Sequence, residues 1–548
     1  MIFTLIGLDF NKSQSYNKYE RVQFYSAGAT LYANLYYPAK SLPFQEKRPL
    51  IIYCHGIGSQ RDFDLRIPIE FSKRGFYVAA LDYHGHGESG GTINDIDTAT
   101  NIPALAEDCT KLLEKLKTLS FFSNVNISQI GLIGHSLGGM VVLMNQALNP
   151  EFKATVAWAP LVNFTPPKFG LGWQGYEQYI PANLINATNS ENLLIIMHVN
   201  DEALDYSENA LVAKKLTNCT VINVTRPLIG GGHQLFSDQV LIDSIQYFET
   251  QFFNSETING PIIITYFWNY ILIILNLGLL ISIIFLLISY SSKFFRINSK
   301  SSNLLSKNEN KRFSKMRKIG KIIIIFFFSS IFLLNWQFFA SVFGLIGIFI
   351  ASLLFSFFYL LIKLLKYFIG FKKQKVESKL REIKNHIKKE LDIRVLIYST
   401  ICAWYFILIY LIFCYFYPFA FIWPSNARSI FISMLFFPVY YSIEILFRKL
   451  IYPQLSFVKS EKTKAKLIIL YAFMIYGILM IFAQNFSYLP SVLFTFLILL
   501  IVTVGNTIIF EHTRRFSAVL LSSFNIIILF FSAIISNVIG IGIVGHLF

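Results

Sequence analysis

The chain has 548 residues, of which 54% are apolar, and its mean hydropathy is +0.51. This is too apolar for a soluble protein of this length, so part of the chain is expected to lie in lipid. Up to Gly260 there are 18 Lys and Arg against 24 Asp and Glu, and beyond it there are 30 against 8. The excess of positive charge therefore lies in short segments of the second half, while the first half is acidic, which argues against a nucleic-acid-binding protein.

Residues 1–19 are predicted to be a separate N-terminal segment. Ile2 to Leu8 is apolar, but it is too short for a signal sequence or a membrane crossing. This N-terminus does not explain how the domain that follows it would be exported, and two explanations stay open. The stretch is the remnant of a longer hydrophobic helix, or the first long apolar run further along the chain carries the preceding domain across the membrane in reverse orientation.

Residues 20–258 are predicted to form one α/β domain, because short β-rich apolar runs alternate with helical patterns. Such alternation is typical of a mostly parallel sheet flanked by helices. The predicted strands are Arg21 to Tyr25, Leu31 to Tyr37, Leu50 to Cys54, Tyr77 to Leu81, Gln129 to Ile133, Ala154 to Trp158, Leu193 to His198 and Thr220 to Val224. The predicted helices are Ala104 to Leu119, Gly139 to Leu148, Ser207 to Leu216 and Leu235 to Phe253.

A serine motif lies between one of these strands and the helix that follows it. Residues 134–138 read GHSLG, which is the pattern GxSxG. A reactive serine on a sharp strand-to-helix turn has a strained backbone that neighbouring chains crowd, so it needs small residues beside it. Ser136 is therefore the candidate nucleophile.

Three motifs together resemble the α/β-hydrolase superfamily. They are IYCHGIG at 52–58, DYHGHGESG at 82–90 and GHSLGG at 134–139, in the order and at the spacing of that family. The resemblance covers about residues 20–255 and fits the esterase, acyl-hydrolase and serine-aminopeptidase-like branches about equally. It implies an α/β-hydrolase fold, serine hydrolase chemistry, and no metal or organic cofactor.

The same resemblance implies an oxyanion hole and an acid. The backbone N–H groups of Ile57 and Leu137 would hold the oxyanion, where a single donor is worth roughly 3 kcal/mol. The family order of serine, acid and histidine places the acid after the strand that ends near residue 199. Asp201 is the candidate, and Glu202 and Asp205 are the alternatives.

His233 is the candidate base. It follows three glycines, and it is the only histidine between Asp201 and the apolar second half. The glycines allow the loop to bring an imidazole to Ser136, as the histidine loop of the family does. Turn packing is the expected role of four further histidines, which are His84, His86, His135 and His198.

An aromatic, proline-containing stretch at about residues 160–190 interrupts the α/β pattern. It lies where the family inserts a cap domain, and an aromatic cap would form an apolar pocket over the serine. A packed irregular connection is the alternative.

Residues 261–548 are predicted to be an all-α transmembrane domain of about eight helices, since a crossing needs roughly 20 apolar residues. The apolar runs are Pro261 to Tyr290, Ile322 to Ile362, Val395 to Trp423, Ile430 to Phe447, Leu467 to Phe486, Ser491 to Phe510 and Ala518 to about Val544. The second run is too long for one crossing, so we expect it to form a hairpin near Ser341 to Gly344.

Basic residues give this domain an orientation, because the Lys and Arg of short loops stay in the cytoplasm. With eight spans, all the basic loops fall on one side. They are 291–321, 363–394, 448–466 and 511–517. The α/β domain would then be extracytoplasmic, with a cytoplasmic domain as the alternative. Glu444 lies close to Arg448 and Lys449 and is expected to be a membrane-interface residue.

The sequence thus predicts a multi-pass, membrane-anchored serine hydrolase that cleaves an ester or thioester (acyl) bond. One alternative is a serine peptidase of the aminopeptidase type. Another is a membrane transport or scaffold protein whose hydrolase-like domain binds a ligand without catalysis. The expected partners are an acyl-ester or peptide substrate, with lipids among the esters, together with membrane lipids and no nucleic acid.

Overall fold

The structure is a computed structural model. It describes residues 18–39, 47–62, 64–226, 228, 231–254, 260–297, 311–371, 376–416, 434, 437–482 and 489–526. The predictions for Ile2 to Leu8 lie outside the described residues. The chain divides into two compact units, one mainly of residues 1–278 and the other mainly of residues 279–412 and 427–532.

An eight-stranded sheet forms the centre of the first unit. Its strands are β1 (Tyr19–Ser26), β2 (Ala29–Tyr36), β3 (Arg48–Cys54), β4 (Tyr77–Asp82), β7 (Val125–His135), β8 (Ala154–Trp158), β9 (Leu193–His198) and β10 (Thr220–Val224). They lie in the order β1-β2-β4-β3-β7-β8-β9-β10. Pairing is antiparallel from β1 to β2 and from β2 to β4, and parallel across the rest of the sheet. This arrangement confirms the predicted fold class. Two further strands, β5 (Ile96–Asp97) and β6 (Ile102–Pro103), form a separate antiparallel pair.

Helices follow the parallel strands, as crossover connections require. They are α1 (Arg66–Lys73), α2 (Asp108–Lys117), α3 (Leu137–Leu148), α4 (Pro181–Leu184), α5 (Val212–Thr217) and α6 (Asp238–Phe253). Helix α1 is absent from the prediction. It has only eight residues, too few for a clear helical period, and it contains Pro68 in its first turn, where the missing N–H costs nothing.

The C-terminal region is helical. Its helices are α7 (Tyr266–Phe294), α8 (Lys311–Phe371), α9 (Val376–Glu390), α10 (Ile393–Phe416), α11 (Phe437–Glu444), α12 (Glu461–Phe482), α13 (Leu489–Thr513) and α14 (Phe516–Ile526). Among the described residues, four stretches are long and apolar enough to cross a membrane: Ile274–Phe294, Arg317–Phe338, Phe349–Lys366 and Ile383–Leu408. The number eight stays a prediction, because parts of several apolar runs lie outside the described residues.

The long segment α8 folds back on itself. The rings of Phe332 and Phe355 are 5.2 Å apart, and Asn335 Nδ2 is 3.3 Å from the carbonyl oxygen of Ala351. In a straight helix, residues 23 positions apart would be separated by about 35 Å. The two halves of α8 therefore run alongside each other, as a pair of crossings would.

Large apolar side chains are exposed along these helices. Phe326, Phe327 and Leu334 in α8 are each about 60% or more exposed. Exposed aromatic and aliphatic side chains at this density are unfavourable in water but match a hydrocarbon environment. The helices are therefore consistent with a membrane protein.

Glu444 is buried inside the helical unit, and its place at a membrane interface stays a prediction. Its Oε2 accepts from Arg448 Nε at 3.2 Å, and its Oε1 accepts from Asn506 Nδ2 at 3.1 Å. Arg448 also donates from Nη2 to Thr507 Oγ1 at 2.6 Å. The segment from Ile445 to Ile451 is π-helical, a conformation that is rare and often functional.

Candidate active site

Ser136 occupies the sharp turn between β7 and α3. Its backbone lies at φ 56° and ψ −118°, which is strained for a residue with a side chain. Residue 138 must be glycine because the backbone of Cys54 and His55 lies close to it: a Cβ there would be 2.3 Å from the carbonyl oxygens of both residues. The turn thus holds the Ser136 hydroxyl at the carboxyl end of the sheet, close against the β3 loop.

The structure brings Ser136, His233 and Asp201 into one hydrogen-bonded array. His233 Nε2 lies 2.9 Å from Ser136 Oγ, and His233 Nδ1 lies 2.8 Å and 3.0 Å from the two oxygens of Asp201. The Asp201 side chain is fully buried, and Ser136 and His233 are buried as well. When Nδ1–H donates to the carboxylate, Nε2 is left to accept the serine proton.

The Asp201 carboxylate is held by the turn that follows β9. Its Oδ1 accepts the backbone N–H groups of Ala203 and Leu204 at 2.8 Å and 2.9 Å. The alternative acid Asp205 lies elsewhere: it accepts from the hydroxyl and N–H of Ser207, and the hydroxyl bond lowers the pKa of its carboxyl. Of the three predicted acids, Asp201 is the one that contacts the His233 ring.

Glu202 has a different position that sequence reasoning missed. Its Oε2 accepts the backbone N–H groups of Gly232 at 2.9 Å and of His233 at 3.2 Å. Gly231 has a φ of 95°, and a Cβ there would lie 2.1 Å from Glu202 Oε1. The carboxylate therefore holds the backbone of the histidine loop, and the glycines let the loop approach it.

His135 holds the backbone carbonyl of His233, on the other side of the residue from Glu202. Its Nε2 donates to the carbonyl oxygen of His233 at 2.8 Å. Burial, and then the neighbouring His233, lower the pKa of His135 to about 3, so its ring stays neutral at ordinary pH. Both the N–H and the C=O of His233 are thus hydrogen-bonded by side chains on either side of the loop.

The loop after β3, which carries Ile57, is held by the 82–90 motif. Tyr83 donates its hydroxyl to the His55 carbonyl at 2.8 Å, and the buried Asp82 carboxylate accepts the Arg61 backbone N–H at 2.6 Å and binds the Arg61 guanidinium. Burial alone would raise the pKa of Asp82, but the Arg61 charge and the hydrogen bonds to the carboxylate lower it to about 2. This ion pair fixes the loop on which one predicted oxyanion donor lies.

The oxyanion donors themselves stay a prediction. Leu137 is the first residue of α3, so its N–H precedes the first intrahelical hydrogen bond. Ile57 is 45% exposed, at the surface of the loop. Both positions agree with donors that face a substrate.

The remaining histidines bind neighbouring structure. His84 Nδ1 lies 2.8 Å from Asp108, His86 Nδ1 lies 3.1 Å from the His84 carbonyl oxygen, and His198 Nε2 lies 3.1 Å from the Arg226 carbonyl oxygen. These contacts agree with packing roles in turns and at strand ends.

The stretch at about 160–190 packs against the domain. Trp173 is completely buried, and the Gly172 N–H donates to Asn94 Oδ1 at 2.7 Å. The only helical pieces in this stretch, all of it described, are α4 and the 3-10 turns Pro166–Phe169 and Glu177–Tyr179. Its action as a cap stays a prediction.

Comparison with known proteins identifies the domain. The family model for the serine aminopeptidase, S33, group matches residues 45–228. These residues form an S33-type α/β-hydrolase domain. The helical C-terminal half of the chain has no match. The match supports a hydrolase of the broad class that contains esterases, lipases and peptidases.

Two curated proteins are similar to the hydrolase domain. Platelet-activating factor acetylhydrolase from Cavia porcellus is 25% identical over 24% of this chain and 39% of its own length. Monoacylglycerol lipase from Mycolicibacterium smegmatis is 28% identical over 22% of this chain and 41% of its own length. The chain therefore spans less than half of either relative.

Two solved structures are also similar to the hydrolase domain. The α/β hydrolase GrgF from Penicillium sp. sh18 is 19% identical with a TM-score of 0.33, covering 43% of this chain and 99% of its own. The acylaminoacyl peptidase from Pyrococcus horikoshii is 16% identical with a TM-score of 0.36, covering 46% of this chain and 44% of its own.

Proposed function

We propose that the protein is a membrane-anchored serine hydrolase that cleaves an acyl ester. The observation that carries the proposal is the array of Ser136, His233 and Asp201, with the imidazole 2.9 Å from the serine hydroxyl and a buried carboxylate 2.8 Å behind it. A nucleophile, a base and an orienting acid within hydrogen-bond distance are what acyl transfer requires.

The reaction would proceed in two steps. Ser136 Oγ forms a bond to the substrate carbonyl carbon while its proton passes to His233 Nε2, and Asp201 stabilises the imidazolium. The Ile57 and Leu137 N–H groups would stabilise the oxyanion until the ester C–O bond breaks and the leaving alkoxide takes the proton from His233. Water then attacks the acyl-serine with His233 as base, which releases the acid and restores the Ser136 hydroxyl.

An ester is the preferred substrate because the two curated relatives reported above are named an acetylhydrolase and a lipase. Peptide hydrolysis uses the same chemistry, and an aminoacyl 4-nitroanilide tests for it beside an ester. Faster cleavage of the anilide would transfer the proposal to the peptidase class. A non-catalytic binding domain would cleave neither substrate.

The hydrolase domain is proposed to lie outside the cytoplasm. The basis is the charge pattern. With eight spans, the four basic loops lie on the same side of the membrane, and Arg428 is the exception on the opposite side. Protease treatment of sealed, right-side-out vesicles would digest an external domain. A fully protected domain would reverse the orientation without affecting the chemistry.

The decisive experiment is labelling of the purified full-length protein with a fluorescent fluorophosphonate, which reacts with activated serines. Labelling is expected in the wild type and is expected to vanish in Ser136→Ala. Ser123→Ala, which changes an exposed serine in the turn before β7, is the matched control and should label normally. Labelling that persists without Ser136, or that never occurs in folded protein, would refute the proposed catalysis.

A further inference from the structure

The first membrane helix begins at a fixed point on the hydrolase domain. The buried Glu70 of α1 accepts the backbone N–H groups of Thr265 at 2.8 Å and Tyr266 at 2.6 Å, where α7 starts. The carboxylate thus binds two N–H groups that lack intrahelical partners and places negative charge at the positive end of the helix. Lys73 adds bonds to the Ile263 carbonyl at 2.7 Å and to Thr265 Oγ1 at 2.6 Å.

A second set of bonds holds the chain on either side of this point. Arg74 forms a buried ion pair with Glu249 of α6 and donates to the Gly260 carbonyl at 3.1 Å. The Tyr266 hydroxyl donates to Asp238 at 3.2 Å. The junction between the domain and α7 is therefore a bonded surface and not a free tether.

The same helix α1 reaches the candidate active site. Arg66, its first residue, donates to the Leu235 carbonyl at 3.3 Å and lies 4.3 Å from the centre of the Phe236 ring. These residues follow His233 by two and three positions, and the Asp238 that binds Tyr266 follows it by five. Helix α1 has eight residues and is therefore about 12 Å long. Because its first residue contacts the chain just after His233 and its last turn contacts the start of α7, these two regions are separated by no more than about this length.

Three of the exposed side chains near this junction are aromatic. Beside the site, Phe236 is 40% exposed, and at the start of α7, Phe267 and Trp268 are 61% and 60% exposed. Six residues after Trp268 begins the apolar stretch Ile274–Phe294, which is long enough to span a membrane. Aromatic residues just before a span prefer the level of the lipid headgroups, so this edge of the domain is expected to meet the bilayer surface.

From these contacts we infer that the substrate is a membrane-resident lipid ester, which reaches Ser136 from the bilayer along the edge formed by Phe236, Phe267 and Trp268. This inference rests on the proposed function. The acyl chain would stay in apolar surroundings while the ester group rises to the serine, so that the lipid need not pass through water. The occupant of the aromatic edge is the lipid surface itself.

The test compares two esters with the full-length protein in dioleoylphosphatidylcholine vesicles. One is the soluble 4-nitrophenyl acetate, and the other is 1,2-dioleoylglycerol carried in the vesicles. The double variant Phe267→Ser, Trp268→Ser is expected to lower dioleoylglycerol hydrolysis by about tenfold, since two aromatic contacts with the interface are lost. Hydrolysis of 4-nitrophenyl acetate should change less than about twofold, because the described hydrogen bonds of the array join Ser136, Asp201 and His233 and involve neither residue. Tyr25→Ser, at an exposed aromatic of β1, is the control and should affect neither.

The outcomes separate this inference from the proposed function. If 4-nitrophenyl acetate is cleaved in a Ser136-dependent manner but dioleoylglycerol in vesicles is not, the lipid inference is wrong and the hydrolase stands. Equal losses on both esters in the double variant, or no loss on either, would also overturn the inference. If neither ester is cleaved and Ser136 does not label, the proposed function itself fails.

Discussion

Removal of the Glu202 carboxylate tests whether the backbone of the histidine loop must be held for catalysis. In Glu202→Ala the N–H groups of Gly232 and His233 lose their acceptor. Hydrogen bonds to a charged group contribute about 1.5–3 kcal/mol each when buried, but Glu202 is exposed, so we expect about 1–2 kcal/mol for the pair. His135 and Asp201 still hold the residue from its carbonyl and its ring.

This cost converts to a fall in kcat of roughly 5- to 30-fold, since 1.4 kcal/mol is a factor of ten. It is far smaller than the roughly 10⁴-fold loss expected for Asp201→Asn, which would disturb the tautomer of the ring. Glu202→Gln keeps a neutral acceptor and should fall between the wild type and Glu202→Ala.

The assay is the kcat and KM for 4-nitrophenyl acetate, with the rate of fluorophosphonate labelling as a second readout. Asp205→Asn is the matched control, because this neighbouring carboxylate caps a different turn and does not touch His233. Wild-type kcat in Glu202→Ala, or an effect on KM alone, would show that the loop keeps its position without the carboxylate.

Three further predictions concern stability and packing. Burial lowers the pKa of His86 to about 3 from an ordinary 6.5, so between these pH values the unfolded chain binds a proton that the folded chain does not. The stability of the fold should therefore fall as the pH is lowered from 6.5 to 3, and the melting temperature of His86→Gln should depend less steeply on pH. Gly138→Ala should abolish fluorophosphonate labelling because its Cβ meets two backbone carbonyl oxygens, whereas Gly172→Ala, whose nearest neighbour is 3.8 Å away, should label normally; equal labelling would refute the packing argument. Arg448→Met should lower the stability of the fold by about 3–5 kcal/mol, because it leaves the buried Glu444 carboxylate without its counter-ion, and the midpoint of thermal aggregation in detergent should fall. Adding Glu444→Gln should recover much of this stability, and a double variant no more stable than Arg448→Met would contradict a cost that arises from charge.

The sheet could be predicted from the sequence because its central strands are buried on both faces. Every residue of β4 is buried, for example, so the strand appears in the sequence as an apolar run bounded by polar residues. The resemblance to the α/β-hydrolase superfamily implied Ser136, His233 and an acid at Asp201, with Glu202 and Asp205 as alternatives, and the structure brings Ser136, Asp201 and His233 together.

Other features depend on contacts between distant parts of the chain, which a pattern within one segment does not contain. The Glu202 contact with the histidine loop joins residues about 30 positions apart, and composition gives no sign that an acid would bind backbone N–H groups there. The burial of Glu444 depends on Asn506, which comes from a helix 62 positions away. The charges near Glu444 in the sequence, Arg448 and Lys449, give no sign of this partner.

The pairing of Glu444 with Arg448 has a consequence for how this part of the chain is made. The two charges lie four residues apart on one continuous helical segment, so each carries its counter-ion with it from synthesis onward. The Glu444–Arg448 pair therefore needs no counter-ion from another helix before the segment packs against its neighbours. Asn506 and Thr507 can then join the pair later, as the helices assemble.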